Sequence, residues 1–393
     1  MAYRGKGRGG VLFLTPGASI NGGNVFLLRF LQWLKANTDI PFSVFFETSG
    51  DVEAKFMKLG NNLCHTRTTT DKGNLLKILG KAEEKSGIRS RILKKTITKR
   101  DFALIYSNTV INHKTFPLTE DLGLPVLTHC HEMESVINLT GKENFELLCD
   151  RTDRFIAVSN AVKSELVSKH GIDDSKVEKI YGFVPVSEFD SNLKSRRGEV
   201  LESLGFPRDA FLVGASGLLE WRKAPEIFIS IAERVTRHYP ELPIYFVWVG
   251  GADKNDHSLF CADFDVTKLG LSERVKFLPH CRDPERYFAA LDLFALVSRE
   301  DPFPLVCLES AVFDVPILCF DNAGGMPEFV EQDCGAILPY LDVAAFAAKI
   351  VELFKNRELR LKLGRNAGEK VRKHHDVEVI GPQILSQIEK MIV

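Results

Sequence analysis

Short apolar runs alternate with stretches of helical periodicity along most of the chain, and this alternation constrains the fold more than any other feature. The first series contains Val11–Leu14, Phe42–Phe46, Phe102–Tyr106, Val126–Thr128, Phe155–Val158 and Val177–Phe183. The second contains Phe211–Gly214, Ile244–Val249, Val275–Leu278, Leu291–Val297 and Val315–Phe320. Continuous apolar runs separated by helices are typical of parallel sheets that are covered by helices on both faces. The sequence therefore predicts an α/β protein with two doubly wound, Rossmann-like sheets.

The length of the chain also favours two domains, because 393 residues exceed what one hydrophobic core usually serves. Residues 185–200 are polar and charged and indicate a link between the domains. We expect an N-terminal domain over residues 1–190 and a C-terminal domain over residues 191–374. A last helical pattern, Val379 to Ile392, is separate enough in sequence to pack elsewhere, and we assign residues 375–393 to it.

The composition is that of a globular protein, with 45% apolar and 26% charged residues and a net charge of -1. The eight cysteines include no C-x-x-C pair, which favours reduced thiols and a cytoplasmic location. The basic start is followed only by Val11–Leu14, an apolar run too short for a secretion signal. No apolar stretch reaches the ~18 residues that a membrane span needs.

Positive charge is concentrated in the first hundred residues, which hold 18 Lys and Arg against 7 Asp and Glu. Within Lys72–Arg100 the cations alternate with leucines and isoleucines, which predicts one or two basic amphipathic helices. Such a face suits an anionic membrane surface or a lipid phosphate. A solvated helix face is the alternative interpretation, and no nucleic acid partner is expected.

The stretch Ser298–Phe320 combines the end of a predicted buried strand with the start of a predicted helix. Pro304 fits the first helical position, where its missing N–H costs nothing. The free N–H groups of a helix start, together with the positive end of its dipole, can hold a phosphate. Asp301 precedes this helix and Glu309 lies within it. The alternative is an ordinary strand–loop–helix with Glu309 on its wet face.

Two further loops carry residues suited to anions. Gly22 and Gly23 lie in a Gly-rich turn between a strand and a helix, a layout that presents backbone N–H groups to phosphate or sugar oxygens. Neither common nucleotide fingerprint matches there, so a plain strand–helix turn is the alternative. Arg222 and Lys223 are adjacent cations just before a helix start, where they suit a diphosphate. Two solvated cations are the alternative.

A histidine cluster follows the predicted strand Val126–Thr128. His129, His131 and Glu132 do not have the spacing of a helical zinc pair, and no third ligand is evident, so no metal site is predicted. His131 comes just past the carboxyl end of a strand, where open α/β sheets bind ligands. We therefore select His131 as a site residue, with a structural histidine as the alternative.

The run from Asp301 to Glu309, with GASGLLEWRKAPEIF upstream and DNAGGMPEFV downstream, resembles the retaining glycosyltransferases of family four, which have the GT-B fold. The likeness is strongest from about residue 210 to 340. That family carries two acidic residues separated by seven, the first of them usually Glu. Here Asp301 takes the first position and Glu309 the second. Where the family usually has glycines around Phe303, this chain has Pro302 and Pro304.

The resemblance implies two Rossmann-like domains that face a cleft, with the last helix crossing back onto the N-terminal domain. It implies that Glu309 hydrogen-bonds the donor ribose and that Asp301 touches the donor sugar. It also implies that Arg222 and Lys223 neutralise the diphosphate and that His131 lines the reaction centre. Because Pro304 has no N–H, the phosphate-facing amides are expected to be those of Leu305 and Val306.

The expected reaction moves a sugar from a nucleoside-diphosphate sugar to a glycan or lipid-linked acceptor, in the synthesis of cell-surface polysaccharide. The cations and the helix start are expected to stabilise the leaving diphosphate, with no metal and no cofactor. A metal-dependent GT-A enzyme would use Asp263-Phe264-Asp265, a D-x-D in what the sequence indicates is an irregular acidic segment. A sugar-nucleotide epimerase and a catalytically silent nucleotide-sugar-binding protein are two further candidate functions, and the shorter Asp301 favours the silent protein.

Overall fold

The computed structural model describes residues 9–60, 63–66, 97, 100–251 and 257–392. The chain divides into two compact units, and we call Met1–Tyr181 with Val377–Val393 unit 1 and Gly182–Asp376 unit 2. The expected boundaries lie after residues 190 and 374. Residues 182–190 belong instead to unit 2, where the N–H of Val184 donates to the carbonyl of His375 (2.9 Å).

In the described residues of unit 1, one parallel sheet has seven strands in the order β3-β2-β1-β4-β5-β6-β7. The strands are β1 (Gly10–Gly17), β2 (Phe42–Thr48), β3 (Leu63–Thr66), β4 (Phe102–Ser107), β5 (Val126–Cys130), β6 (Arg154–Ala157) and β7 (Val177–Lys179). The helices between them are α1 (Gly22–Asn37), α2 (Glu53–Met57), α3 (Glu134–Thr140), α4 (Lys142–Arg151) and α5 (Asn160–Ser164). Strand residues such as Val11, Leu12, Phe13 and Leu14 are wholly buried, as a sheet covered on both faces requires.

Unit 2 repeats this winding with a six-stranded parallel sheet, in the order β10-β9-β8-β11-β12-β13 across its described residues. The strands are β8 (Phe211–Ser216), β9 (Ile244–Val249), β10 (Val275–Phe277), β11 (Leu293–Leu296), β12 (Ile317–Phe320) and β13 (Gly335–Leu338). The helices are α6 (Arg197–Leu204), α7 (Pro225–His238), α8 (His257–Lys268), α9 (Glu285–Phe288), α10 (Leu305–Val312), α11 (Met326–Val330), α12 (Val343–Lys355) and α13 (Arg357–His374). Two doubly wound α/β sheets are therefore present, as the sequence predicts.

The final helix, α14 (Val377–Met391), groups with unit 1 although it follows unit 2 in sequence. Its Gly381 lies against the indole of Trp33 on α1, and a Cβ added there would come within 2.6 Å of the ring. The indole N–H of Trp33 donates to Glu378 (3.1 Å). Ile380, Ile384 and Ile388 are buried on the same helix. Packing on the N-terminal unit is what the sequence predicts for this helix.

Further sequence expectations about individual elements differ from the structure. The edge strands β3 and β13 were not expected, because each has only four residues and neither is a long apolar run. The helix predicted over Ala161–Lys169 is α5 followed by a π-helical turn, Glu165–Lys169, in which the N–H of His170 donates to the carbonyl of Glu165 (3.3 Å). Asp263 and Asp265 lie in a regular helix, α8, and not in an irregular segment, because Leu259, Ala262 and Val266 supply a buried helical face.

The basic segment Lys72–Arg100 lies outside the described residues, apart from Ile97 and Arg100. Among the described residues, no helix combines the length and the apolar character that a membrane span requires. The seven cysteines for which the structure describes a side chain are free thiols.

Candidate active site

The strand orders of the two sheets define where ligands are expected. In each unit the order reverses beside the first strand, between β1 and β4 in unit 1 and between β8 and β11 in unit 2. Open α/β sheets bind ligands at the carboxyl ends of the strands that flank such a reversal. The loops there hold residues 17–22 and 107–112 in unit 1, and residues 216–224 and 297–304 in unit 2.

In unit 2 these two loops meet through a buried ion pair. Lys223, in the loop after β8, donates from Nζ to Oδ2 of Asp301, in the loop after β11, at 2.5 Å. Their side chains are only 16% and 6% exposed. The buried Ser298 hydroxyl also donates to Asp301 Oδ2 (3.3 Å). An ammonium has three N–H donors, so Lys223 keeps hydrogen-bonding capacity for an anion.

The loop that carries Lys223 is held in an unusual backbone conformation. Ala224 has a left-handed φ of 57°, which is uncommon for a residue with a side chain, and it directly precedes α7. The carbonyl of Glu220 accepts the N–H groups of Lys223 (3.0 Å) and Ala224 (3.1 Å). At Gly217, an added Cβ would come within 3.2 Å of the Lys223 side chain. The loop therefore presents Lys223 at a defined position.

Arg299, in the loop after β11, holds the Lys223 loop through hydrogen bonds to its backbone. Its backbone N–H donates to the carbonyl of Arg222 (2.8 Å) and its guanidinium to the carbonyl of Trp221 (2.8 Å). The guanidinium also pairs with Glu226 on α7 (2.5 Å). Arg222 pairs with Glu220 in its own loop (3.0 Å) and donates to the carbonyl of Glu300 in the loop after β11 (3.4 Å). The adjacent cations predicted from the sequence therefore have different partners.

The backbone around Asp301 depends on Gly324, in the DNAGG segment after β12. Asp301 and Gly324 form an isolated parallel bridge, and the N–H of Asp301 donates to the carbonyl of Ala323 (2.7 Å). Gly324 has a φ of 128°, and a Cβ there would come within 1.9 Å of the Asp301 carbonyl oxygen. Only glycine fits this position.

Helix α10 begins directly after this loop and presents free amides. Pro304 is the residue before the helix, with an extended ψ of 121°, and not the first helical residue as predicted. The N–H of Cys307 donates to the Pro304 carbonyl (3.2 Å). Within the described residues, the N–H groups of Leu305 and Val306 have no acceptor. Glu309 is half-buried on the second turn of α10.

In unit 1, Gly22 and Gly23 form the start of α1. The side chain of Asn21 caps the helix by accepting the N–H of Asn24 (2.9 Å). The buried Asn24 amide donates to the carbonyls of Gly17 and Ser19 (2.7 Å each) and so fixes the turn. A Cβ at Gly22 would have no atom within 4 Å. The turn is thus fixed by side-chain hydrogen bonds, and a side chain at Gly22 would face open space.

His131 follows β5 and packs in an aromatic cluster. Its ring stacks on His129 (centroids 4.2 Å apart) and meets Phe26 of α1 edge-on (4.8 Å). His129 is bonded through Nδ1 to the Tyr106 hydroxyl (2.6 Å). Burial lowers the pKa of His131 to about 3 and takes the pKa of His129 well below its ordinary range. Both rings are therefore neutral at neutral pH.

Nε2 of His131 is buried without a hydrogen-bond partner among the described residues. Its backbone N–H donates to the carboxylate of Glu132 (3.0 Å), which also receives the hydroxyl of Thr109. Among the described residues, no group of three or more His, Cys, Asp or Glu side chains has a metal-binding arrangement. The histidine cluster is thus an aromatic and hydrogen-bonded assembly.

The structure gathers most of the predicted site residues into two groups. In unit 2 these are Lys223, Asp301 and the first turn of α10; in unit 1 they are His131 and α1, through Phe26. Sequence reasoning gave no supporting role to Ser298, Arg299 or Gly324. Ser298 and Arg299 precede Asp301 in the loop after β11, and Gly324 lies in the loop after β12, so the signal for each is its place at the end of a strand. The loop of His131 and Glu132 was expected near the ligand, but the hydrogen bonds that Glu132 accepts were not predicted.

Two family models match the chain. Residues 20–188 match Glycosyltransferase Family 4, and residues 197–370 match Glycosyl transferases group 1. The D-inositol 3-phosphate glycosyltransferase of Thermobifida fusca is 25% identical over 239 residues, which cover 57% of this chain and 54% of that protein. The chain thus spans about half the length of the curated relatives it matches.

Solved structures resemble the fold over nearly the whole chain. Anabaena HepE, in complex with UDP and glucose, has a TM-score of 0.79 at 21% identity, covering 97% of this chain and 99% of that one. Sucrose-phosphate synthase from Thermosynechococcus elongatus has a TM-score of 0.76 at 16% identity, covering 98% and 99%. At these identities the likeness shows the fold, which is the two-domain GT-B arrangement of Rossmann-like sheets.

Proposed function

Because the chain belongs to the group 1 glycosyltransferases, we propose that it transfers a sugar from a nucleoside-diphosphate sugar to a glycan or lipid-linked acceptor, with retention of anomeric configuration. The relatives support the donor class: the Anabaena HepE structures hold UDP with glucose, or UDP-glucose. A uridine-diphosphate sugar is therefore the first donor to test.

One observation carries this proposal, the Lys223–Asp301 pair beside the open first turn of α10. Sugar transfer leaves negative charge on the departing diphosphate. A fixed ammonium and the amides of Leu305 and Val306, which have no acceptor among the described residues, provide preorganised stabilisation for that charge. Asp301 holds the ammonium in place before the donor arrives, so little reorganisation is needed when the bond breaks.

Arg222 adds a second cation to this group. Its guanidinium is partly exposed and bonds Glu220, the neighbouring acid in the loop, so it can turn to a phosphate oxygen at modest cost. Glu309, half-buried on α10, is the proposed partner of the donor ribose. Asp301 has one carboxylate oxygen engaged by Lys223 and Ser298, so we assign its proposed sugar contact to the other oxygen.

His131 is proposed to line the reaction centre as a neutral imidazole. A pKa of about 3 makes it a weak base, poorly matched to deprotonating an acceptor near pH 7. We assign the proton to the leaving phosphate instead. The acceptor oxygen bonds the anomeric carbon, the bond from that carbon to the phosphate oxygen breaks, and the acceptor proton passes to the departing phosphate on the same face. His131 then orients the reacting groups through hydrogen bonding.

This chemistry is proposed to need no metal and no cofactor, since side chains and amides of the chain provide the positive charge. We place the reaction in cell-surface polysaccharide synthesis at the cytoplasmic face of the membrane. The basic segment Lys72–Arg100 supports peripheral attachment to anionic lipid. The experiment must therefore identify the donor sugar, the base of its nucleotide and the acceptor.

The test is incubation with a panel of nucleotide sugars and acceptors, with nucleotide release measured and products identified by mass spectrometry. We expect release from one donor, a product that gains one sugar in α linkage from an α donor, and no loss of rate with EDTA. Binding of a donor without release, whatever acceptor is tried, would instead support a catalytically silent binding protein. A change of the donor sugar without transfer would support an epimerase.

A further inference from the structure

The carboxylate of Glu132 joins two loops at the carboxyl end of the unit 1 sheet. From the loop after β4 it receives the Thr109 hydroxyl on Oε1 and the Val110 N–H on Oε2 (3.2 Å). From the residue after β5 it receives the His131 N–H on Oε2 (3.0 Å). Three donors from two loops therefore converge on one side chain.

A carboxylate suits this arrangement best. An ionised carboxylate accepts hydrogen bonds on both oxygens and offers no donor of its own, so it can satisfy three N–H and O–H groups. Such charge-assisted bonds are shorter and stronger than those of neutral pairs. A glutamine with its NH₂ toward Val110 and His131 would leave both N–H groups without an acceptor; in the other orientation its NH₂ would donate to the Thr109 hydroxyl, whose hydrogen would lose its acceptor.

The loop that Glu132 grips is itself tied to the rest of the sheet. The buried Ser107 hydroxyl donates to the carbonyl of Thr109 (2.9 Å), and Asn112 donates both to Ser107 (2.8 Å) and to the carbonyl of Leu14 on β1 (3.0 Å). The neighbouring Asn108 donates to the carbonyl of Gly23 (2.9 Å). Glu132 thus connects His131 to the framework that holds the Gly22–Gly23 turn.

The His131 ring, by contrast, is held by weaker contacts. It stacks on His129 and meets Phe26 edge-on, and such aromatic contacts have broad geometry. Its Nε2 has no hydrogen-bond partner in the described part of the chain. The directional contact closest to the ring is therefore the bond from the His131 N–H to Glu132, which fixes the backbone from which the imidazole projects.

We propose that Glu132 is a positioning residue for transfer. It fixes the backbone of His131 so that the imidazole is held in the position from which it hydrogen-bonds the acceptor. The inference rests on the proposed function, since it acts through His131. Misplacing a reacting or orienting group by about 1 Å costs on the order of 100-fold in rate. Donor affinity should change little, because Lys223 and the start of α10, proposed to hold the diphosphate, lie in unit 2, and the Gly22–Gly23 turn keeps its own bonds from Asn24 and Asn108.

The test is a double-mutant cycle of Glu132→Gln and His131→Ala in the full-length protein, with kcat, donor KM and thermal unfolding measured for each. We expect Glu132→Gln to lower kcat by about 10- to 100-fold with donor KM within about twofold. In the His131→Ala background the same change should have no further effect. Equal losses of kcat in both backgrounds would assign Glu132 a structural role and overturn the proposal.

Matched controls keep the experiment decisive if Glu132→Gln folds poorly. Thr109→Val removes one of the three bonds and should reproduce part of the loss, whereas Thr109→Ser retains the hydroxyl and should keep the wild-type kcat. Glu134→Gln makes the same chemical change at an exposed acid paired with Lys169, and should leave kcat unaltered. If His131→Ala keeps full activity, the role of His131 in the proposed function fails and this inference falls with it; an additive cycle overturns this inference alone.

Discussion

Lys223 and Asp301 form an ion pair between loops 78 residues apart, with both side chains largely withdrawn from water. Removing one partner of such a pair leaves the other charge buried without compensation, so a substitution lowers the stability of the protein as well as its activity. The same lysine is the proposed contact for the leaving diphosphate. Separating these two effects requires changing each member of the pair.

Lys223→Ala is expected to lower kcat/KM by an amount that corresponds to about 2–4 kcal/mol of lost transition-state stabilisation, which is typical of a preorganised contact to developing charge. It should also destabilise the protein, because Asp301 stays buried and unpaired. Adding Asp301→Asn should recover stability in urea titrations without recovering kcat/KM. Lys268→Ala, at an exposed position on α8, is the control. Unchanged kinetics of Lys223→Ala with an active donor would refute the assigned role.

His131 makes stability depend on pH. Burial lowers its pKa from 6.5 in the unfolded chain to about 3 in the folded one. The unfolded chain therefore binds the proton more readily, so the free energy of unfolding declines as pH falls from about 6.5 toward 3. In urea titrations between pH 7 and 5, His131→Leu should weaken this decline by on the order of 1 kcal/mol per pH unit. Parallel pH curves for the two proteins would contradict the lowered pKa.

At the scale of elements, the start of α10 has a geometry that allows one amide to be removed alone. Leu305 occupies the first helical position, where proline is well tolerated, and the preceding Pro304 already has the extended ψ that a following proline requires. The backbone of this helix start can therefore be tested separately from its side chains.

Leu305→Pro is expected to weaken UDP binding by about 1.5–3 kcal/mol, the range for a hydrogen bond to a charged group. Leu305→Ala is the matched control, because it shortens the side chain and keeps the N–H. Isothermal titration calorimetry with UDP measures both. Equal affinities of the two variants would show that the Leu305 amide does not contact the diphosphate.

The contact between α1 and α14 is a second element-scale feature, since Gly381 leaves no room beside Trp33. Gly381→Ala should lower the free energy of unfolding by about 1–3 kcal/mol through overpacking. The same substitution at Gly198 in α6, where a Cβ would meet no atom within 4 Å, should raise it by about 0.4–1 kcal/mol. Thermal and urea unfolding distinguish the two; a stabilising Gly381→Ala would contradict the packing described.

At the scale of the whole molecule, the two sheets have the same winding, so the candidate residues of one unit lie in loops that correspond to those of the other. In each unit, the loops after the first strand and after the strand beyond the reversal hold most of the candidate residues. His131 is the exception, since it follows the next strand, β5. This regularity follows from parallel topology, in which all strand carboxyl ends lie at one edge of the sheet.

Membrane attachment is a prediction for the whole protein. We expect liposomes that contain anionic lipid to retain it through Lys72–Arg100, with retention falling as salt rises because the attraction is electrostatic. Co-sedimentation with anionic and neutral liposomes measures this, and replacing the lysines of residues 72–99 by glutamine should abolish it. Equal retention by neutral liposomes, or insensitivity to salt, would exclude an electrostatic surface.

The sequence by itself determined the architecture, because long apolar runs must be buried on both faces and the parallel sheet is the arrangement that achieves this. It also located the strand ends at which Gly22, His131, Lys223 and Asp301 lie. The regular helix around Asp263 was not predicted, although Leu259, Ala262 and Val266 have helical spacing, because the acidic residues among them favoured an irregular segment.

Only the tertiary structure decided which of these residues meet. Lys223 contacts Asp301, and Gly324 makes room for the Asp301 carbonyl. Glu132, after β5, accepts a hydrogen bond from Thr109 in the loop after the neighbouring strand β4. Contacts of this kind join residues distant in sequence. They arise from strand order and loop conformation, which the local periodicity of a sequence does not report. The physical reason is that periodicity reports which face of an element is buried, whereas a site depends on where separate loops converge.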